Sequence, residues 1–212
     1  MKIYYIGMYE NPTTERLAAM KTVAYAHFSV VGTWAYRREP CNVCGYYWQE
    51  IVPPLLVQWE PSTHVIGDFS WDGPFGDKFV VKNHVSDALN AMQFECGFLP
   101  VEYVEPERKR NTVPFPYEGP HLLWGQCSAI VDLDMEASGV ELLSSCSACG
   151  DVRYTFRKDG ITIRNRKWNG QKMFRISTNG PALTFVPEDG RRMIEEAGFS
   201  NIAFSEAGEI VN

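Results

Sequence analysis

The five residues Cys41-Asn-Val-Cys44-Gly45 return as Cys146-Ser-Ala-Cys149-Gly150, 105 positions further along a chain of 212 residues. Two thiol pairs form the donor set that one tetrahedral zinc ion takes, and a glycine after each second cysteine allows the left-handed backbone that turns amides toward sulfur. In a zinc ribbon the two pairs stand roughly 15–20 residues apart; here half the chain lies between them. A shared metal therefore ties the two halves together. Its binding energy becomes folding energy, because the site does not exist in the unfolded chain. Cys41, Cys44, Cys146 and Cys149 are the expected ligands of one structural Zn2+ per chain. Loss of either pair is expected to release the metal and destabilise both halves. Two separate redox CxxC motifs, or disulfides, are the other readings of these pairs. His27 and His64 are the substitute ligands if one thiol is unused. A closed four-thiolate shell leaves no position for water, which points to a structural role rather than to metal-dependent hydrolysis.

The same offset of 105 aligns more than thiols. Lys78-Phe-Val-Val-Lys82, a helical stretch from His84 to Met92, and Phe94 match Ala182-Leu-Thr-Phe-Val186, a stretch from Asp189 to Ala197, and Phe199. In the first helix Val85, Ala88, Leu89 and Met92 fall at i, i+3, i+4 and i+7, one buried stripe; Met193, Ile194 and Ala197 hold the matching places in the second. Pro187 suits a helix start and Gly198 a helix end. Extended segments follow both helices, from Phe98 to Val104 and from Asn201 to Ser205, and Lys2 to Gly7 reads as a first strand.

The expected fold is α+β: two pseudo-duplicated halves, residues 1–104 and 125–212, each with antiparallel strands and a β-α-β unit. A connector over 105–124 joins them in one integrated globular domain. Pro106, Pro114, Pro116 and Pro120, with the charged run from Glu107 to Asn111, predict an exposed, partly extended connector. In the second half Val152 to Phe156, Ile161 to Arg164 and Met173 to Ser177 alternate in polarity and predict antiparallel strands, turning at Lys158-Asp-Gly160 and Asn169-Gly170. Ala129 to Met135 is a further alternating segment, with Asp132 and Asp134 on one face.

An apolar content of 45 % is enough for a sizeable core, and no apolar run is long enough to span a membrane. The net charge of −6 argues against broad nucleic-acid binding and fits a soluble protein or a basic partner. The N-terminus lacks a hydrophobic signal segment, so the expected compartment is reducing and cytoplasmic. No GxSxG, GxGxxG, P-loop or HExxH occurs, and His27, His64, His84 and His121 are scattered; the chain is not expected to be an enzyme. Cys96 and Cys127, left over once the metal shell is filled, read as small core residues. One stretch runs against the acidic balance. Arg153, Arg157, Lys158, Arg164, Arg166, Lys167, Lys172 and Arg175 interleave with Tyr154, Phe156, Trp168 and Phe174. It reads either as an amphipathic hairpin with solvated charges or as a nucleic-acid platform with phosphate contacts and stacking rings.

The paired CxxCG motifs near residues 40 and 150, the short N-terminal strand, and the β-α-β unit running into Phe98-Leu-Pro-Val-Glu102 resemble the double-CxxCG immunity proteins over nearly the whole chain. That resemblance implies a structural zinc on Cys41, Cys44, Cys146 and Cys149. It also implies an antitoxin role in bacterial competition, in which the chain binds and neutralises a cognate protein toxin without turnover. Interface residues do not carry over, because such surfaces diverge with their partners. The acidic balance suits a basic toxin such as a nuclease, with Asp132, Asp134 and Glu136 as the candidate contact cluster. The alternative is a zinc-ribbon-like nucleic-acid-binding or regulatory module built on Arg153 to Arg175.

Overall fold

A computed structural model describes residues 1–7, 24–31, 34–36, 40–47, 49–61, 63–72, 78–108, 110, 112–155, 157, 159–179 and 183–212. Among these residues the fold is mixed α/β, mostly sheet, with two α-helices, α1 (Asn83–Ala91) and α2 (Glu188–Ala197). A four-stranded sheet has the order β13 (Ile161–Arg164), β16 (Ala203–Val211), β1 (Lys2–Gly7), β15 (Phe185–Pro187). A six-stranded sheet has the order β2 (Phe28–Val30), β5 (Leu55–Trp59), β8 (Cys96–Tyr103), β9 (Leu122–Cys127), β7 (Phe79–Lys82), β6 (Phe69–Trp71). Its ends approach each other. Phe28 bridges to Asp72, and the Val30 amide donates to the Asp72 carboxylate at 3.3 Å, so the sheet is nearly closed into a barrel.

Alternation along the strands explains the layering. In β7, Val80 packs inside the near-barrel with Phe28, Leu55, Val57, Leu122 and Trp124, whereas Phe79 and Val81 face outward into a second cluster. A strand buried on both faces needs a continuous apolar run, and Phe79-Val80-Val81 supplies it. The second cluster lies between the sheets. It joins Phe69, Trp71, Phe79 and Val81 to Tyr4, Ile6 and Val186 and to the inner faces of both helices, Val85 and Leu89 on α1 and Ile194 on α2. On the far side of the four-stranded sheet, Ile3, Ile161, Ile163, Phe185 and Ile210 pack with Val131, Leu133, Phe174 and Ile176.

Both β-α-β units have the same arrangement. β7 and β8 both run antiparallel to β9, and β15 and β16 both run antiparallel to β1, so each parallel pair is split by one inserted strand. The inserted strands come from across the chain. β9 follows the connector yet completes the first unit, and β1 opens the chain yet completes the second. Gly198 ends α2 in the left-handed conformation at φ 70° with Pro187 at its start, matching the sequence signals. Ala197, expected on the buried stripe, is exposed.

Three expectations are corrected. The segments 152–156, 161–164 and 173–177 do not form an antiparallel meander: β12 (Val152–Tyr154) pairs with β11 (Leu142–Ser145), β13 pairs in parallel with β16, and β14 (Arg175–Ile176) pairs in parallel with β10 (Ile130–Val131). Alternation says that a segment is a half-buried strand, not which strand lies beside it. Here Ile161 and Ile163 are drawn to the cluster that Ile210 lines, and Ile176 to Val131. The segment 129–135 is a strand only over Ile130–Val131. The connector is not simply exposed, since Pro106 and Val113 are buried and Tyr117 packs against Trp59 and Tyr103. Lys158 and Phe156 lie outside the described residues.

Candidate metal centre

Each CxxCG segment closes a tight turn with the same hydrogen bonds. The Gly45 amide donates to the Cys41 carbonyl and the Cys41 amide to the Tyr46 carbonyl; the Gly150 amide donates to the Cys146 carbonyl and the Cys146 amide to the Asp151 carbonyl, all at 2.8 Å. Gly45 and Gly150 have φ of 72° and 75°, where a side chain would be strained although the space around each is open. The turns sit at the ends of two ribbons, β3 (Trp34–Tyr36) with β4 (Gln49–Ile51), and β11 with β12.

The two turns meet face to face. The Sγ atoms of Cys41, Cys44, Cys146 and Cys149 all lie within 4.8 Å of one another, with Cys41 to Cys146 at 3.9 Å and Cys44 to Cys149 at 3.6 Å. A tetrahedron of sulfurs about zinc, with bonds of about 2.3 Å, has edges of about 3.8 Å. The donor set therefore fits a tetrahedral thiophilic ion. The contacts across the turns are also far longer than the bond of about 2.0 Å in a disulfide. Sequence reasoning named all four residues. His27 and His64 are not part of the cluster.

Backbone amides aim at the sulfurs in matching ways. The Cys44 and Val43 amides lower the Cys41 thiol to about 6, and the Cys149 and Ala148 amides lower the Cys146 thiol. At Cys44 the Tyr46 amide acts in the same direction, but desolvation and the thiols of Cys146, Cys149 and Cys41 prevail and raise it to about 12. Cys149 is also raised, desolvation and the Cys146 thiol outweighing the Asp151 amide. The first cysteine of each turn is thus the readier thiolate, and because a metal must displace the thiol protons, metal affinity is expected to fall as pH is lowered. Arg153 adds a positive charge at the rim. It stacks on the Tyr46 ring at 5.2 Å and donates from Nε to Asp151 Oδ2 at 3.0 Å, joining the residues that follow the two CxxCG glycines. Sequence reasoning counted Arg153 only as part of a basic stretch; its place three residues past Gly150 was the available signal.

The other candidates lie elsewhere. Asp134 Oδ2 accepts from Arg164 Nε at 2.6 Å and Oδ1 from the Ala137 amide at 3.0 Å; the Ala137 amide and the Arg164 guanidinium hold its carboxyl below the usual range. Asp132 and Glu136 are exposed. Asp132 and Asp134 share a concavity of about 530 Å³ with Arg164, Arg166 and Lys167, so the acidic segment and part of the basic stretch offset one another. The rings of that stretch are not all available. Phe174 is buried and stacks on Phe185, and Trp168 packs on the core with Nε1 donating to the Gln171 carbonyl. His84 sits 3.3 Å from Asp68. Cys96 and Cys127 are buried, as expected.

No protein-family model and no curated protein matches this chain. No helix among the described residues is long and apolar enough to cross a membrane.

Proposed function

We propose that the chain is a zinc-stapled, cytoplasmic immunity protein that neutralises a cognate protein toxin by stoichiometric binding. The observation that carries the metal half of this reading is the four-sulfur cluster, in which the Cys41–Cys146 and Cys44–Cys149 separations are close to the edge of a ZnS4 tetrahedron and whose thiols come from opposite halves of the chain. When bound, the ion supplies charge neutralisation and a cross-link, not a Lewis-acid site, because four thiolates fill its shell. The backbone amides and Arg153 offset the negative charge that remains. The toxin-binding half rests on the resemblance of the paired motifs. The 105-residue offset that relates the two CxxCG turns, the two helices and the two split β-α-β units supports descent of the halves from one duplicated unit.

Asp132 and Glu136 are the exposed acidic groups with which a basic toxin would engage. Asp134 is committed to Arg164 and is a poor contact. Charge reversal at Asp132 and Glu136 is expected to slow association and to make it less salt-dependent.

The test is co-purification of the tagged chain with the product of the neighbouring gene, with zinc measured on the same sample. A one-to-one complex carrying one zinc per chain is expected, together with loss of the partner's toxicity. Zinc-bearing protein that retains nucleic acid in a salt-dependent manner and ignores the neighbouring product would overturn the immunity reading in favour of a nucleic-acid module.

A further inference from the structure

Two cysteines outside the metal centre face each other. Cys96 and Cys127 are directly opposed in the antiparallel register of β8 and β9. The flanking Ser128 amide donates to the Glu95 carbonyl at 2.9 Å. A ladder bond between flanking residues marks the opposed pair as the non-hydrogen-bonded kind, whose Cα atoms stand about 4.5 Å apart. That separation lies within the range of about 4.4–6.8 Å that disulfides adopt. Opposed side chains leave the same face of a sheet, and both thiols enter the cluster between the two sheets. Neither is held by a strong hydrogen bond. Cys96 Sγ donates weakly to the Gly97 carbonyl at 3.6 Å and Cys127 Sγ to the Ala129 carbonyl at 3.7 Å.

We propose that Cys96 and Cys127 form an oxidative modification site, a cross-strand dithiol that a small hydroperoxide converts to a disulfide independently of the metal centre. Access comes from a cavity of about 190 Å³ that Cys127 lines together with Lys78, Gln126, Arg175 and Thr184. Its volume is several times the ~30 Å³ share of a water molecule, so hydrogen peroxide fits while a glutathione-sized oxidant does not. Burial pushes both thiols up to about 12, which keeps the thiolate fraction small and the reaction slow at low peroxide. Cys127 lines the cavity and Cys96 does not, so Cys127 is the sulfur that an entering peroxide meets first and the attacking one.

The chemistry balances. Cys127 thiolate attacks one peroxide oxygen, an S–O bond forms as the O–O bond breaks, and hydroxide leaves to become water. Cys96 then attacks the sulfenic sulfur, an S–S bond forms, and the hydroxyl departs as a second water carrying the Cys96 proton. Two sulfurs lose two electrons and the peroxide gains them. The product ties β9 to β8 around residues 97–126.

The experiment is a graded hydrogen peroxide treatment of the full-length zinc-loaded protein, followed by acid quench, alkylation after unfolding, and peptide mapping by mass spectrometry, with a thermal melt on each sample. The expected product is one disulfide joining the peptides that carry Cys96 and Cys127, with the melting temperature raised by roughly 5–10 °C and both changes reversed by dithiothreitol. In C96S, peroxide is expected to carry Cys127 on to sulfinic acid with no rise in melting temperature. Recovery of both cysteines as alkylated thiols after peroxide has oxidised the CxxCG cysteines would overturn the proposal. So would accumulation of sulfinic acid at Cys127 of the unsubstituted protein without a linked peptide.

Discussion

Asp68 shows what one side chain does in joining the units. Its Oδ2 accepts from the amide and hydroxyl of Ser200 at 2.9 and 2.8 Å, its Oδ1 accepts from Lys82 Nζ at 3.1 Å, and its own amide donates to Ser200 Oγ at 2.8 Å. Burial alone would raise this carboxyl; the Ser200 amide and hydroxyl and the Lys82 ammonium outweigh it and hold it below its usual 3.8. A carboxyl depressed in the folded state contributes stability above its unfolded value and loses it as pH falls through the folded value. Asp68→Ala is therefore expected to cost about 2 kcal/mol at pH 7, because it leaves the Ser200 donors and the Lys82 charge without their acceptor. That difference from the unsubstituted protein should shrink below about pH 4. Urea denaturation at pH 7 and pH 3 measures both. Arg153 is the corresponding residue at the metal centre. Its removal takes away the charge beside the thiolates and the tie between Tyr46 and Asp151 but no ligand. Arg153→Ala is expected to weaken zinc binding by roughly tenfold, the low end for an outer partner, whereas Cys146→Ser should abolish stoichiometric zinc retention; chelator competition separates the two.

At the level of elements, the β11–β12 ribbon that ends in the second CxxCG turn has almost no buried face. Every residue of β11 is exposed, and β12 adds only the half-buried Tyr154. A two-stranded ribbon without an apolar face is marginal in water, so a metal held by the CxxCG turns would be its main support. None of the four CxxCG cysteines belongs to any of the three apolar clusters. Metal removal is therefore expected to unprotect the amides of 41–46 and 142–154 in hydrogen exchange while those of α1, α2, β1 and β8 stay protected. This narrows the expectation that losing the metal destabilises both halves together: the halves are also joined by their sheets. The sequence made the turns and helices legible, because CxxCG, Pro187, Gly198 and the Val85–Leu89 stripe are local signals whose meaning does not depend on distant residues. Strand partners were not legible. Ile161 and Ile163 announce a buried face, but nothing local to 161–164 says that β16 lies alongside rather than β12. The metal site was legible in its residues and not in its rim, since Arg153 over Tyr46 depends on how two turns 105 residues apart come together.

The whole molecule is held by exchange between its two halves. β9 stands between β7 and β8, β1 stands between β15 and β16, and the turns after the helices reach across in both directions: Ser200 to Asp68, and Glu95, whose Oε2 accepts from the Lys172 and Met173 amides at 2.9 and 3.0 Å. A cut in the chain within the connector would therefore leave neither piece able to complete its unit. Residues 1–107 would keep β7 and β8 without the strand that pairs with both, exposing Phe79 and Val81, while residues 108–212 would keep β15 and β16 without β1, exposing Val186 and Ile194. Each would also hold only two of the four thiols, too few for a closed zinc shell. Expressed separately, the fragments are expected to lack a cooperative thermal transition. Expressed together they should assemble one to one, recover the melt and carry a single zinc per pair, because the exchanged strands and the shared metal are non-covalent links that do not need the peptide bond at 107. Circular dichroism, light scattering and metal analysis on the co-purified fragments measure this. A cooperative melt from either fragment alone would mean that a unit folds without its inserted strand, and that the exchange decorates the halves rather than building them.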